Sequence, residues 1–347
     1  MTAVTTKPLS GVAIVRRPTR VRLAWLALAF GVLVVLILLS ISVGARGVSL
    51  EDMIAGLQGQ ADNLGQAAVL KRVPRTLLAL IVGAALAVSG TMMQGVTRNP
   101  LADPGILGVN AGASLAVVVG IAFFGLWTAS GFIWIAIMGA TVAAIFVYLV
   151  GALGRGGATP LKLALAGAAT AVALGAFVSA IVLPRNDIAG SVRSWQVGGV
   201  GGASFDTIGA VLPFLTVGLI VSWLSARRLN NLALGDDVAT GLGERVAVAR
   251  ASAAVGAVLL CGAATAVAGP IAFVGLVVPH VCRLLVGVDH RWLVPFGAVV
   301  GAALVIAADV VGRVIARPGE IEVGIITALI GAPVFIHIVR RQKVREL

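Results

Sequence analysis

Few side chains in this sequence could do chemistry, and their spacing excludes most of what they could do. The four lysines are Lys7, Lys71, Lys162 and Lys343, and none follows a glycine. The chain therefore has no G-x-x-x-x-G-K-[ST] loop to cradle the phosphates of a nucleotide. No H-E-x-x-H occurs for metal-assisted hydrolysis, and Ser89-Gly90 lacks the leading glycine of a G-x-S-G nucleophile motif. His280, His290 and His337 show no ligand-like spacing and read as structural. Cys261 and Cys282 lie isolated in or beside apolar runs, which is no disulfide framework. Asp309 alone sits clearly within an apolar run, with Arg313 four residues on. That spacing reads as a local ion pair on one helix face rather than the ion site of a gradient-driven carrier. No catalytic residue, metal site or cofactor is expected here. If the chain moves anything uphill, the energy must come from a partner.

The elements that position these residues follow from composition. Of 347 residues, 59% are hydrophobic and only 12% charged, with mean hydropathy +1.06. A soluble domain carries about twice that share of charge. The surrounding solvent must be lipid, and the 44 glycines suit helices that attract one another by close approach. A crossing needs about twenty apolar residues. Spans are expected near 23–43, 76–95, 105–125, 131–151, 161–183, 207–225, 248–268, 270–286, 292–312 and 321–339. Only the helix-breaking Gly269-Pro270 pair divides the seventh from the eighth. The first run, Leu23 to Val43, is too long for a signal core and lacks a small-residue cleavage site, so it stays as a span. The net charge of +12 is spread over helix ends, not clustered on one face among aromatics, so no nucleic-acid partner is expected. With both termini inside, 18 of the 26 Lys and Arg fall on the inner side, as the positive-inside rule requires.

The chain also repeats itself. Gly83-Ala-Ala-Leu-Ala-Val-Ser-Gly90 recurs as Gly262-Ala-Ala-Thr-Ala-Val-Ala-Gly269, identical at six of eight positions. Ala- and Gly-rich helices can match by chance. However, the copies fall in an even and an odd span, so the halves would be inverted relative to each other, a transporter architecture.

Three stretches carry a resemblance. They are Arg98 to Ala113 (RNPLADPGILGVNAGA), Gly269 to His280 (GPIAFVGLVVPH) and Gly287 to Trp292 (GVDHRW). Together they resemble the FecCD-type membrane permeases of ABC importers for iron-siderophores, haem and cobalamin, most closely the ferric-enterobactin type. The resemblance spans Leu23 to Arg341. It implies an all-α polytopic fold of about ten transmembrane helices, like that of the cobalamin importer's permease. The expected division is a permease domain over 23–341 between cytoplasmic tails 1–22 and 342–347. The resemblance also implies a second permease, a related chain more than a copy of itself, and two ATP-binding subunits that use ATP and Mg. An extracytoplasmic siderophore-binding protein completes the assembly in the cytoplasmic (inner) membrane. Haem or cobalamin permeases, or an ion-gradient-driven carrier working alone, are the alternative readings.

Within this frame, Asn99-Pro100 and Pro104 oppose a continuous helix, and for Asp103, Pro104 and Gly105 a tight turn is the expected role. The resemblance makes Asn99 and Leu101 candidates for the inner gate of the path. In the longest inner loop, 225–249, Asp236 can cap a short helix from Asp237 to about Leu242 that Gly243 ends. Its small residues Ala239, Thr240 and Gly241 suit close approach of a partner, and the resemblance places ATPase docking here. Basic residues on the outer side run against the topology rule. Lys71 reads as snorkelling to headgroups. Arg72, Arg75 and Arg313 match arginines that meet acidic residues of the binding protein, as exposed pairs worth about 0–1 kcal/mol each.

Overall fold

Why these segments become helices is visible at their ends. In the computed structural model, which describes residues 17–44, 47–126, 129–153 and 159–343, side-chain oxygens of Ser49, Asn63, Thr159 and Ser204 each accept a backbone N–H from the first turn they precede. Such caps satisfy donors that a helix start leaves without partners. Residues 1–16 and 344–347, most of the two expected tails, lie outside the described residues, as does Arg155.

Among the described residues there are thirteen α-helices and no strand. They are α1 (Thr19–Ser42), α2 (Leu50–Leu57), α3 (Leu64–Thr97), α4 (Val109–Phe124), α5 (Ala129–Ala152), α6 (Pro160–Val182), α7 (Asn186–Val197), α8 (Phe205–Leu232), α9 (Asp236–Gly241), α10 (Val246–Ala268), α11 (Val274–Val286), α12 (His290–Ile315) and α13 (Val323–Lys343). Seven of these, α1, α3, α5, α6, α8, α10 and α12, are long and apolar enough to cross a membrane. Three more, α4, α11 and the 323–337 part of α13, are apolar but shorter. The expected span at 270–286 starts late, because residues 269–273 stay non-helical before α11. That at 105–125 likewise opens with a single 3₁₀ turn, Pro104–Leu107, before α4.

Burial distinguishes the helices. Of α3's most apolar stretch 78% is buried, against 11% for α1, so α3 lies at the bundle's centre and α1 shows lipid most of its surface. At 34 residues α3 is about 50 Å long. It is longer than the hydrocarbon is thick and carries Arg72 and Arg75 toward its N-terminal end.

Close approach of backbones holds the centre together. A Cβ added to Gly90 would collide with the backbone of Gly275 on α11, and one added to Gly83 would collide with that of Gly301 on α12. Ser89 donates from α3 to the Ala257 carbonyl of α10 at 2.6 Å. The partnership is reciprocal between halves: α3 packs on α11 and α12, whereas α10 packs on α4 and α5.

Candidate functional site

Three places bring the sequence's candidates together: a cavity between interrupted helices, a knob between α8 and α10, expected at the inner face, and an arginine cluster at the C-terminal end of α1, expected at the outer face.

The cavity forms where two stretches leave helical geometry. After α3, Arg98 turns left-handed (φ 51°). Asn99 then folds back, its Oδ1 accepting the Leu101 N–H at 2.9 Å and its carbonyl that of Ala102 at 3.1 Å. Asp103 repeats the device two residues on, its Oδ1 accepting the Gly105 N–H at 2.8 Å, which is the tight turn the sequence suggests. The second stretch, 269–273, ends at Phe273 with φ 69°. Among the described residues Arg98 and Phe273 are the non-glycine positions with positive φ, and for a bulky residue that conformation costs energy that its surroundings must supply. Both stretches face one cavity of about 390 Å³, lined by Leu101, Asp103, Gly105, Ala272, Phe273 and Leu276, by small residues of α6 (Ala164, Gly167, Ala168, Ala171) and by Phe335 of α13. Irregular backbone at membrane depth is tolerated where it lines such a space. Leu101 thus stands on the cavity wall. Asn99 does not line it; its side-chain oxygen is spent shaping the turn that presents Leu101.

The inner knob differs from expectation at its start. Gly235 (φ 111°), not Asp236, occupies the N-cap. Asp236 instead opens α9 and reaches outward, pairing with Arg98 and, at 3.0 Å, with Arg250. Two guanidinium groups claim a carboxylate that would otherwise cap its own helix. At the far end Glu244 accepts from Asn231 at 3.2 Å and pairs with Arg228 at 3.6 Å, both on α8. Ala239 is fully buried beneath α9, whereas Thr240, Gly241 and Gly243 are exposed. An added side chain at Gly241 would meet open space, but Gly243 (φ 82°) needs glycine for its backbone. Leu234, Val238 and Leu242 are more than half exposed. Nothing in the sequence marks this apolar trio, since Leu and Val are ordinary in such a chain; their exposure beside Asp236, Asp237 and Glu244 does.

The outer arginines are placed otherwise than expected. They are not free-standing surface charges. Arg313 is 2% and Arg72 6% exposed. Arg313 donates to the carbonyls of Ser40 and Val43 at 3.0 and 3.1 Å and to Ser40 Oγ at 2.8 Å. Arg72 donates to the Ile41 and Ser42 carbonyls at 3.1 and 3.0 Å, and Arg317 to that of Gly44 at 2.7 Å. The last carbonyls of a helix have no intrahelical donor and carry the negative end of its dipole. Three arginines close the C-terminal end of α1. Arg75 binds Asp309 through Nε at 2.9 Å and Glu320 through Nη1 at 2.6 Å. Asp309 Oδ2 lies 2.8 Å from Arg313 in an ion-pair contact without hydrogen-bond alignment, the i,i+4 pair that the spacing suggests.

The histidines stand apart from the cavity lining. His290 is buried with Nδ1 2.8 Å from Asn230 Oδ1, tying α12 to the end of α8. Among the described residues no three His, Cys, Asp or Glu converge as a metal site.

Seven long apolar helices, with two stretches of interrupted helix lining one cavity, are the architecture of a multi-pass membrane protein. The model of the FecCD transport family matches residues 32–341, and the chain belongs to that family. It is 44% identical to the ferric enterobactin transport system permease protein of Escherichia coli (strain K12), covering 90% of this chain and 94% of that one. It is 40% identical to the iron(3+)-hydroxamate import system permease protein FhuB of Bacillus subtilis, covering 92% and 86%, and 39% identical to the hemin transport system permease protein of Yersinia pestis, covering 78% and 82%. Among solved structures it resembles an inward-facing metal-chelate type ABC transporter, with TM-score 0.79 and 29% identity over 92% of this chain and 99% of that one.

Proposed function

We propose that this chain is the membrane-spanning permease of an ATP-driven importer for iron chelates, with a ferric siderophore of the enterobactin type as cargo. The inner knob carries the reading: it offers exposed apolar and small residues to a partner, on a chain that has no phosphate-binding loop of its own. The partner that fits is an ATP-binding subunit, two per assembly, beside a second permease and an extracytoplasmic binding protein. The seven long and three shorter apolar helices support a reading of ten crossings of the cytoplasmic membrane, with both termini on its cytoplasmic side. The reciprocal packing of α3 and α10 supports halves related by an inverted repeat. The ferric-enterobactin permease relative supports the cargo; relatives named for hydroxamate and haem transport make those chelates the alternatives.

The cavity is then the path, with Leu101 at its inner gate and Asn99 holding the turn. A binding protein docking at Arg72, Arg75 and Arg313 would meet Arg75 first, beside the exposed Glu320, and would reach Arg72 and Arg313 only if the α1 end that holds them moved aside. A cysteine at Leu101 is expected to react with a hydrophilic thiol reagent added from the inside, at a rate that differs between nucleotide-free and ATP-bound complexes, while one at Asn99 changes less. Labelling of both positions at one rate in every nucleotide state would make this segment a turn and nothing more.

A further inference from the structure

The triad Arg98, Asp236 and Arg250 joins places the permease mechanism treats separately. Arg98 is the residue at which α3 stops, Asp236 the first of the knob helix α9, and Arg250 lies in the first turns of α10. Each is more than a third exposed. An exposed ion pair in such a setting contributes little to stability, so the fold does not require the triad. What it does supply is a short mechanical connection. From the Asp236 carboxylate the chain of contacts runs through the Arg98 guanidinium to the Arg98 backbone, and the next residues are the Asn99–Leu101 turn. That turn is stiff: Pro100 fixes one dihedral and the Asn99 side chain locks the Leu101 N–H. Moving Arg98 therefore moves Leu101 with it rather than being absorbed by loose chain. Arg250 holds the same carboxylate to α10, and Glu244 holds the other end of the knob to α8, so α9 has a pivot on each side.

We propose that Asp236, bracketed by Arg98 and Arg250, is the link by which movement of the knob reaches the Leu101 wall of the cavity, and that Arg98 is a positioning residue for that gate. The proposal deepens the permease reading and rests on it. A partner that pulls on α9 displaces the Asp236 carboxylate; Arg98 follows its counter-charge, and the turn that presents Leu101 shifts relative to α6 and Phe273.

The test uses the assembled transporter in proteoliposomes, with a cysteine at Leu101 as reporter and a charged maleimide as probe. Cys261 and Cys282 are buried, so they contribute little background. The ratio of labelling rates with and without ATP measures coupling between knob and gate. Arg98→Gln is expected to keep the ATP-binding subunit and ATP hydrolysis while that ratio falls about fivefold or more, the lower end of ordinary coupling between sites. Arg98→Lys, which keeps the charge, should retain most of the ratio. Asp236→Asn should lower the ratio alone but add nothing to Arg98→Gln, since both cut one connection. A full ratio in Arg98→Gln, or additive losses in the pair, would overturn the link. A Leu101→Cys parent that binds no ATP-hydrolysing subunit strikes instead at the permease reading, and the link falls with it.

Discussion

Gly90→Leu is expected to lower the amount of folded permease several-fold, whereas Gly31→Leu is expected to change almost nothing. Gly90 lies on the buried side of α3 at its crossing with α11, where even a methyl group would collide with the backbone of Gly275. In lipid the helices gain nothing from hiding apolar surface from each other, so association depends on packing that small residues allow. A leucine there must push α11 off α3, which also removes the support of the non-helical stretch leading to Phe273. Overpacking commonly costs about 1–3 kcal/mol, and rigid backbone on both sides places this site at or above the upper end. Against a total stability of about 5–15 kcal/mol, a loss of that size removes a large part of the margin, and abundance falls several-fold. Gly31 faces outward on α1 with nothing near its added Cβ. Monodisperse protein recovered in mild detergent should fall several-fold for Gly90→Leu. Equal recovery of the two variants would mean that α3 and α11 do not meet as described.

The second large effect is functional. Gly241→Trp is expected to leave the chain inserted and monodisperse but to abolish ATP-driven uptake, because the indole would project from the exposed side of α9 where the partner must approach. Nothing within the chain opposes the substitution, since an added Cβ at Gly241 finds open space. The same substitution at Gly243 would be a poorer test, for its backbone at φ 82° strains any other residue. Truncating Leu234, Val238 and Leu242 to alanine should act in the same direction by removing the apolar contact. Uptake and substrate-stimulated ATP hydrolysis are the readouts, with protein recovery as the control. Wild-type uptake in Gly241→Trp would remove α9 from the docking surface.

Much of the fold is legible in the residues because lipid imposes a simple rule: about twenty apolar residues make a crossing. The stretch before α11 escapes that rule. Residues 270–273 are as apolar as a helix, yet they stay non-helical because Gly269 and Pro270 break the path and the cavity gives the left-handed Phe273 a place. Pairings far apart in sequence were beyond reach for a different reason. Asp236 carries the composition of an N-cap, and only folding brings Arg98 and Arg250 close enough to claim it. Arg72 and Arg313 read as outer surface charges because the carbonyls they serve, at the end of α1, are more than thirty residues from Arg72 and some 270 from Arg313. The Asp309–Arg313 pair is local, and its spacing alone suggested it. Leu101 and Asn99 look alike as gate candidates in sequence; only the folded turn sets Leu101 on the cavity lining and turns the Asn99 side-chain oxygen back to the Leu101 N–H.

The most direct test of the account is ATP-dependent uptake of radio-iron-labelled ferric enterobactin into proteoliposomes. These would hold this chain with its partner permease and ATP-binding subunits, with the binding protein on the outside. Uptake is expected to need ATP, to stop when the ATP-binding subunit is made unable to hydrolyse it, and to ignore collapse of the proton and sodium gradients. Uptake by this chain alone, driven by an ion gradient and indifferent to ATP, would contradict it.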